Sequence, residues 1–358
     1  MNLNSQYFKL YSGCKIIEGA TRALLCDLDR RKMKLLPLSL VTFTKSLSEG
    51  ESVGEVLNKY EREEKEILQQ YLEYLTDNEY GFFCDKKEFK AFIDVNEDFE
   101  IPKMISNAIV ELENFDKEYI TCVFEELDKV GCEAVQIACY FSLTKNEVDN
   151  LFTISNNSNV ENIEIITSYN QSYATKFFID LNGVKNKLTY LQIYNYPFDS
   201  LPELENILFK IDITKDNISS FTNCGVISVN HFNVHRYSFL ESKNYNSCLY
   251  KKISIDPKGN IKNCPAFAKG FGNINSKKLK DIISTQAFTS LWKINKDKIE
   301  GCKICEFRHV CTDCRAFLEN PKNVFSKPLK CGYDPLKGEW YEWSENPLKK
   351  EAIAHYDL

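Results

Sequence analysis

Nowhere in the 358-residue chain do 18 consecutive apolar residues occur, and Met1 to Leu10 lack the charged stretch and apolar core of an export signal. Hydropathy therefore offers no membrane span, and the expected location is the cytoplasm with no membrane partner. Excess charge is missing too. With 45 Lys+Arg against 51 Asp+Glu the net charge is −6, so the chain has no overall basic field to draw nucleic acid or anionic lipid. The phosphate loop G-x-x-x-x-G-K-[ST], a G-x-G-x-x-G following a strand, and the nucleophile elbow G-x-S-x-G are all absent, and Gly270-Phe-Gly272 is too short to stand for any of them. Neither an internal repeat nor a low-complexity linker is present. His231 and His235 are spaced i, i+4, yet no Glu stands beside them as in H-E-x-x-H, and Asn230 to Arg236 reads as extended chain.

What the chain has is cysteine. Seven of its 14 cysteines fall between Cys248 and Cys331, as C-x10-G-x4-C, a gap, C-x2-C-x5-C-x2-C, a gap, then C. A reducing cytoplasm does not favour a disulfide framework, and a chain this long needs no staples to fold. Clustered soft donors then point to metal. Cys122, Cys132 and Cys139 lack ligand spacing and read as packing residues.

The length suggests two or three domains. Over the first ninety residues, Tyr7 to Tyr11 and Ala23 to Asp27 read as strands, Asp29-Arg30-Arg31 as a turn, and Lys32 to Leu36 as the returning strand. Pro37 opens a helix, Ser52 with Glu55 caps a second, and Arg62 to Leu75 carries Ile67, Leu68, Tyr71, Leu72 and Leu75 at helical spacing. Tyr80 to Cys84 returns as a short strand. This hairpin, three-helix, wing order resembles the winged-helix peptide-recognition element of enzymes that modify ribosomally made peptides. A DNA-binding winged helix is the other reading. Against it stands Glu61-Arg-Glu-Glu-Lys-Glu66, an acidic start to the third helix that would repel phosphate.

From about 100 to 215 strands and helices alternate. Ile105 to Leu112, Ala134 to Tyr140, Val160 to Tyr169 and Leu188 to Tyr196 read as buried strands, with helices at Asp116 to Val130, Thr144 to Asn156 and Ser172 to Leu181. Such alternation predicts a parallel sheet or part of a βα barrel. Further on, Lys252 to Pro257 reads as a strand entering a turn, and Gly259 supplies the positive-φ position before Ile261 leads back to Cys264. That hairpin would bring Cys248 and Cys264 together. Ser276 to Trp292 reads as a helix, after which Cys302, Cys305, Cys311 and Cys314 fall within 13 residues. Four such cysteines could form one tetrahedral zinc site; seven suit two clusters better.

The stretches Cys248 through Gly259 to Cys264, Gly272-Asn-Ile, Cys302-Lys-Ile-Cys305-Glu-Phe-Arg-His-Val-Cys311-Thr-Asp-Cys314-Arg, and Cys331 resemble the SPASM domain appended to radical SAM peptide maturases. The resemblance implies two [4Fe-4S] clusters, one on Cys302, Cys305, Cys311 and Cys331, the other on Cys248, Cys264 and Cys314. Where that family has three residues between its last two clustered cysteines, this chain has two, Thr312 and Asp313. The C-x3-C-x2-C triplet that holds the S-adenosylmethionine-cleaving cluster occurs nowhere, and Ile105 to Leu112 stands in its place without a cysteine. No S-adenosylmethionine is therefore expected as a cofactor.

Taken together, the chain resembles the SPASM-domain maturase of grasp-with-spasm systems. The expected class is α/β: a winged-helix recognition element over residues 1–95, a degenerate partial radical-SAM-like βα barrel over 96–225, and a SPASM domain over 226–358. What this resemblance implies is an accessory maturation protein whose partners are a precursor (leader) peptide and an ATP-grasp ligase. The leader would add as a strand along Lys32, Met33 and Lys34, with the helix bearing Leu68 and Tyr71 closing the groove. Two other classes stay open: an enzyme using an open iron as Lewis acid or electron relay, and a zinc-stabilised DNA-binding regulator. The Gly338-Glu-Trp-Tyr-Glu-Trp343 tail reads as an aromatic cap on the cysteine domain or as a partner-binding edge.

Overall fold

The computed structural model describes residues 5–184 and 187–358, which form two compact units, each assembled from separated stretches of chain. The first contains Met1–Glu100, Gly225–Ser247 and Ile294–Leu358; the second contains Ile101–Cys224 and Cys248–Lys293. Among the described residues no helix is long and apolar enough to cross a membrane.

The first unit begins with β1 (Tyr7–Leu10), β2 (Cys14–Glu18), β3 (Ala23–Asp27) and β4 (Lys32–Leu36). Strands β2, β3 and β4 make an antiparallel sheet in which all five residues of the central strand β3 are buried, Ala23, Leu24, Leu25 and Cys26 being apolar and Asp27 ending the strand. The β3–β4 turn is fixed by Asp27, whose carboxylate accepts the backbone N–H groups of Asp29 and Arg30 and pairs with the Arg30 guanidinium. Helices α1 (Leu38–Ser48), α2 (Val53–Leu57) and α3 (Arg62–Asp77) follow, and α2 starts with the reciprocal Ser52–Glu55 capping box. Strand β5 (Gly81–Cys84) pairs antiparallel with β1, and α4 (Lys86–Ala91) closes this stretch. Its core gathers Phe8, Leu25, Leu40, Phe43, Leu68 and Leu72.

Two of these elements have no counterpart in the sequence reading. β2 is a five-residue stretch between Gly13 and Gly19 with two charged residues, too short and too polar to show a clear period. α4 buries none of its residues and stands on its Asp85–Glu88 capping box, so it has no apolar stripe to betray it.

In the second unit β6 (Asn107–Leu112), α5 (Lys117–Lys129), β7 (Ala134–Cys139), α6 (Lys145–Asn156), β8 (Asn162–Ser168), α7 (Thr175–Val184), β9 (Leu188–Tyr194) and β10 (Lys210–Ile213) alternate along the chain. Their sheet runs β10-β9-β8-β7-β6, all parallel. The chain then contributes α8 (Arg236–Asn244) to the first unit before β11 (Lys252–Ile255), β12 (Asn260–Lys262) and β13 (Gly272–Asn273) join the sheet's β6 edge. β11 pairs parallel with β6, Lys252 opposite Asn107, so the hairpin that begins the cysteine-rich segment extends the βα sheet. Gly259 turns that hairpin at φ +80°.

The expected helix from Ser276 to Trp292 is instead broken into α9 (Leu279–Ile283), α10 (Gln286–Thr289) and a 3-10 turn over Ser290–Lys293. Ser284 and Thr285 cause the break. The Ser284 hydroxyl donates to the Lys280 carbonyl, while Thr285 donates to the Ile282 carbonyl and caps the next helix, drawing the backbone out of its ladder. Back in the first unit, β14 (Tyr333–Asp334) and β15 (Glu339–Trp340) form a small hairpin ahead of α11 (Lys350–His355).

One face of the parallel sheet buries Ala108, Val110, Val135, Ile137, Ile163 and Ile165. Register places polar groups on the other: Gln136 opposite Glu164, and Glu164 opposite Tyr190. At the C-terminal end of β6 on this face Glu111 is buried, accepts a 2.7 Å hydrogen bond from the Tyr140 hydroxyl, and leaves its second oxygen without a partner. Burial pushes the Glu111 carboxyl above its ordinary 4.5, against the opposing pull of the Tyr140 hydrogen bond. Because the folded state then holds that proton more tightly than the unfolded chain, Glu111 stabilises the fold most below pH 4.5 and less as pH rises through its raised value. Glu111→Gln keeps the hydrogen bond and removes the charge. Urea denaturation from acid to neutral pH should show the variant more stable than wild type at neutrality and without that decline; a variant less stable at neutral pH would contradict the assignment.

Candidate metal centre

Four of the seven clustered cysteines meet in the first unit. Cys302 and Cys305 lie on a tight turn in which the Cys305 N–H donates to the Cys302 carbonyl at 2.9 Å, and Cys311 follows a second turn closed by its N–H on the Phe307 carbonyl at 3.0 Å. Cys331 arrives from β-bridged backbone beside Ile227. The four thiols, together with Lys296, line a single cavity walled by Phe232, Phe307 and Tyr333. No disulfide joins any cysteine among the described residues.

The electrostatics of this cavity are unusual. Burial pushes the Cys302 thiol up to about 12, and it also pushes up those of Cys305 and Cys311. Lys296 is buried; desolvation would lower its pKa, but the facing sulfurs of Cys311, Cys302 and Cys331 and the Asp313 carboxylate leave it raised. Its ammonium donates to Cys311 Sγ at 3.2 Å. Asp313 is engaged elsewhere: its carboxylate accepts from Asn246 Nδ2 at 2.6 Å and stands 2.7 Å from Arg315 Nη2. That contact with Arg315 is an ion pair by distance without the alignment of a hydrogen bond, since both facing atoms lack an aligned partner.

Among the described residues no three His, Cys, Asp or Glu side chains converge as ligands to one ion. A tetrahedral zinc draws its four sulfurs to about 2.3 Å from one point. A [4Fe-4S] cluster takes one thiolate per iron at its corners, so four soft sulfurs set around the wall of a cavity, those of Cys302, Cys311 and Cys331 buried and that of Cys305 half-buried, fit a cluster.

Around the centre, the N-terminal sheet is bolted to the cysteine loop. The Ala20 N–H donates to the Ile304 carbonyl at 2.9 Å, and the Arg308 guanidinium donates to the Glu18 carbonyl at 2.6 Å. Arg22 Nε meets Glu306 Oε1 at 2.6 Å and its Nη2 donates to the Tyr333 hydroxyl at 3.0 Å, while that hydroxyl donates to Glu306. Glu306 is 0% exposed. Arg22→Ala would leave this buried carboxylate without a counter-charge, held by the Tyr333 hydroxyl alone, so it is expected to cost about 3 kcal/mol of stability in a denaturant titration; a loss under about 1 kcal/mol would show the pair to be dispensable. The tail closes the other side: the Trp340 ring lies 4.9 Å from Tyr333, and Phe307 lies 5.1 Å from Tyr333 and 5.0 Å from Phe232. Trp340 thus caps the cysteine cavity, as one of the two readings of the tail expects.

The remaining expected site residues lie elsewhere. Cys314 is buried in the first unit against Gly225, where an added Cβ would come within 2.8 Å of its sulfur. Cys248 and Cys264 stand at the two ends of the β11–β12 hairpin in the second unit, both half-buried. His231 and His235 do not share a ligand face. His231 sits in a 3-10 turn with its ring against the Ser228 hydroxyl, and the His235 ring caps α8 by accepting the Tyr237 N–H. Among the described residues of the first unit, β4 pairs only with β3, and Lys32, Met33, Lys34 and Leu35 are exposed in succession. On α3, Tyr71 is half-buried with its hydroxyl 3.2 Å from Ser39 Oγ, Leu68 is in the core, and Ile67 is 48% exposed. Lys296 and Arg22 escaped the sequence reading because nothing in the local pattern marks either one; burial alone sets Lys296 apart from Lys293 and Lys298.

Residues 247–306 match the SPASM family, an iron-sulfur cluster-binding domain. That match contains Cys248, Cys264, Cys302 and Cys305. No curated protein matches the chain. Three solved structures of Streptococcus suis SuiB align over 89% of this chain and 98% of theirs: the protein alone at 11% identity and TM-score 0.35, bound to precursor peptide SuiA at 10% and 0.38, and bound to S-adenosylmethionine at 11% and 0.36. Overlap that loose transfers neither residue positions nor activity.

Proposed function

We propose that this chain is an accessory maturation protein for a ribosomally synthesised, post-translationally modified peptide, carrying two [4Fe-4S] clusters and working with an ATP-grasp ligase. The observation that carries the reading is the buried cavity lined by Cys302, Cys305, Cys311 and Cys331 in a chain whose residues 247–306 match an iron-sulfur domain. Those four cysteines would hold one cluster, and Cys248, Cys264 and Cys314 would ligate the second. The clusters would supply redox or Lewis-acid capacity or a rigid scaffold; the residues of this chain supply the thiolates, the Lys296 cation and an aromatic wall.

Residues 1–95 serve as the winged-helix recognition element in this reading, 96–225 as a degenerate barrel without the S-adenosylmethionine-cleaving triplet, and 226–358 as the SPASM domain. The leader peptide adds as a strand to the open edge of β4 along Lys32, Met33 and Lys34. Main-chain hydrogen bonds then give affinity, while α3 supplies apolar contact from Ile67 and Tyr71 above the buried Leu68. Fluorescence titration of the full-length protein with its cognate precursor tests the function: saturable binding that requires the leader is expected, and no binding would overturn it.

A further inference from the structure

Behind the four sulfurs stands a cation whose hydrogen-bond partner is a sulfur and not a carboxylate. Lys296 opens the 3-10 turn Lys296–Lys298, is 4% exposed, and points its ammonium at Cys311 Sγ, 3.2 Å away. Asp313, an acid that acts on it, is already shared between Asn246 and Arg315. Taking an ammonium out of water costs several kcal/mol unless an anion repays it, and neutral thiols do not. Iron-bound thiolates do, because each brings a full negative charge that the iron only partly offsets.

We propose that Lys296 is the charge-compensating partner of the cluster held by Cys302, Cys305, Cys311 and Cys331, and that it raises that cluster's reduction potential. The inference rests on the cluster reading given above. A fixed positive charge and an N–H···S hydrogen bond both favour the reduced, more negative state, and net charge and hydrogen bonds to sulfur are among the levers that set such potentials. Lys296 touches a ligand and acts through it, so it is a positioning residue.

The test is a redox titration, followed by electron paramagnetic resonance, of full-length anaerobically reconstituted protein, with iron measured on each sample. In Lys296→Met the reduced-to-oxidised ratio of one cluster at a given potential should fall about tenfold, a midpoint about 59 mV more negative for a one-electron couple. Lys296→Arg, which keeps the charge, should stay near wild type. A Lys296→Met protein with full iron and an unmoved midpoint would overturn the proposal. If Lys296→Met loses iron while Lys296→Arg keeps it, charge is what the site requires and the proposal stands; iron lost from both would show that shape decides, and overturn it. An iron-free wild-type protein is a different result, because it sinks the cluster reading itself and the role of Lys296 with it.

Discussion

Cys302→Ala is expected to lose about half the iron and acid-labile sulfide of the wild-type protein, one cluster of two, with a matching drop in visible absorption. Cys302 belongs to the tight turn that also carries Cys305, and its sulfur shares one cavity with Cys311 and Cys331. Three thiolates and no fourth donor of like softness would remain. Since a thiolate and not a thiol binds iron, and burial favours the protonated thiols of Cys302, Cys305 and Cys311, loading the site must release protons and should be slower at lower pH. Cys139→Ala is the matched control. Cys139 is also buried, but it ends β7 in the second unit, and burial pushes its thiol up, with Glu147 adding to the rise. That variant should keep its full iron and lose on the order of 1 kcal/mol of stability from the vacated volume. Full iron in Cys302→Ala would remove Cys302 from the ligand set.

The second large effect is on peptide binding. Ile67→Glu places a charge on the exposed apolar position of α3 and should weaken precursor binding by about 10- to 100-fold, or about 1.4–2.8 kcal/mol. Stability should hold within about 0.5 kcal/mol, because the residue is outside the core. Calorimetric titration against the leader peptide, paired with thermal melting, separates the two. Unchanged affinity would move the recognition site off this helix, and the outer edges of β1 and β2, each of which has one strand partner among the described residues, would be the next place to look.

The parts of the fold that could be read from the sequence are those in which local chemistry alone decides structure. β6, β7, β8 and β9 are rich in branched apolar residues, with polar ones such as Gln136 and Glu164 between them, and each lies within two residues of its expected bounds. The Ser52 capping box likewise announces α2. Legibility stops where partners are distant in sequence. Nothing about Arg22 foretells Glu306 284 residues later, and β11 gives no sign that it will pair with β6 rather than with its own hairpin alone. The cysteine spacing pointed to metal, yet it could not show that Cys302, Cys305, Cys311 and Cys331 share one cavity, nor that a buried lysine faces them. Such facts depend on tertiary packing, which the spacing of residues along the chain does not encode. Around His231 and His235 the stretch read as extended chain opens with a 3-10 turn at Val229–His231 and is extended at Phe232 and His235, and the two rings meet separate local partners.

The proposed function depends on iron-sulfur clusters bound by the cysteines between Cys248 and Cys331. Iron, zinc and acid-labile sulfide should be determined together on full-length protein purified without oxygen. Brown protein with about eight iron and as many sulfides per chain, and zinc well below one, is the predicted result. Colourless protein carrying about one or two zinc ions per chain, or no metal at all, would contradict it.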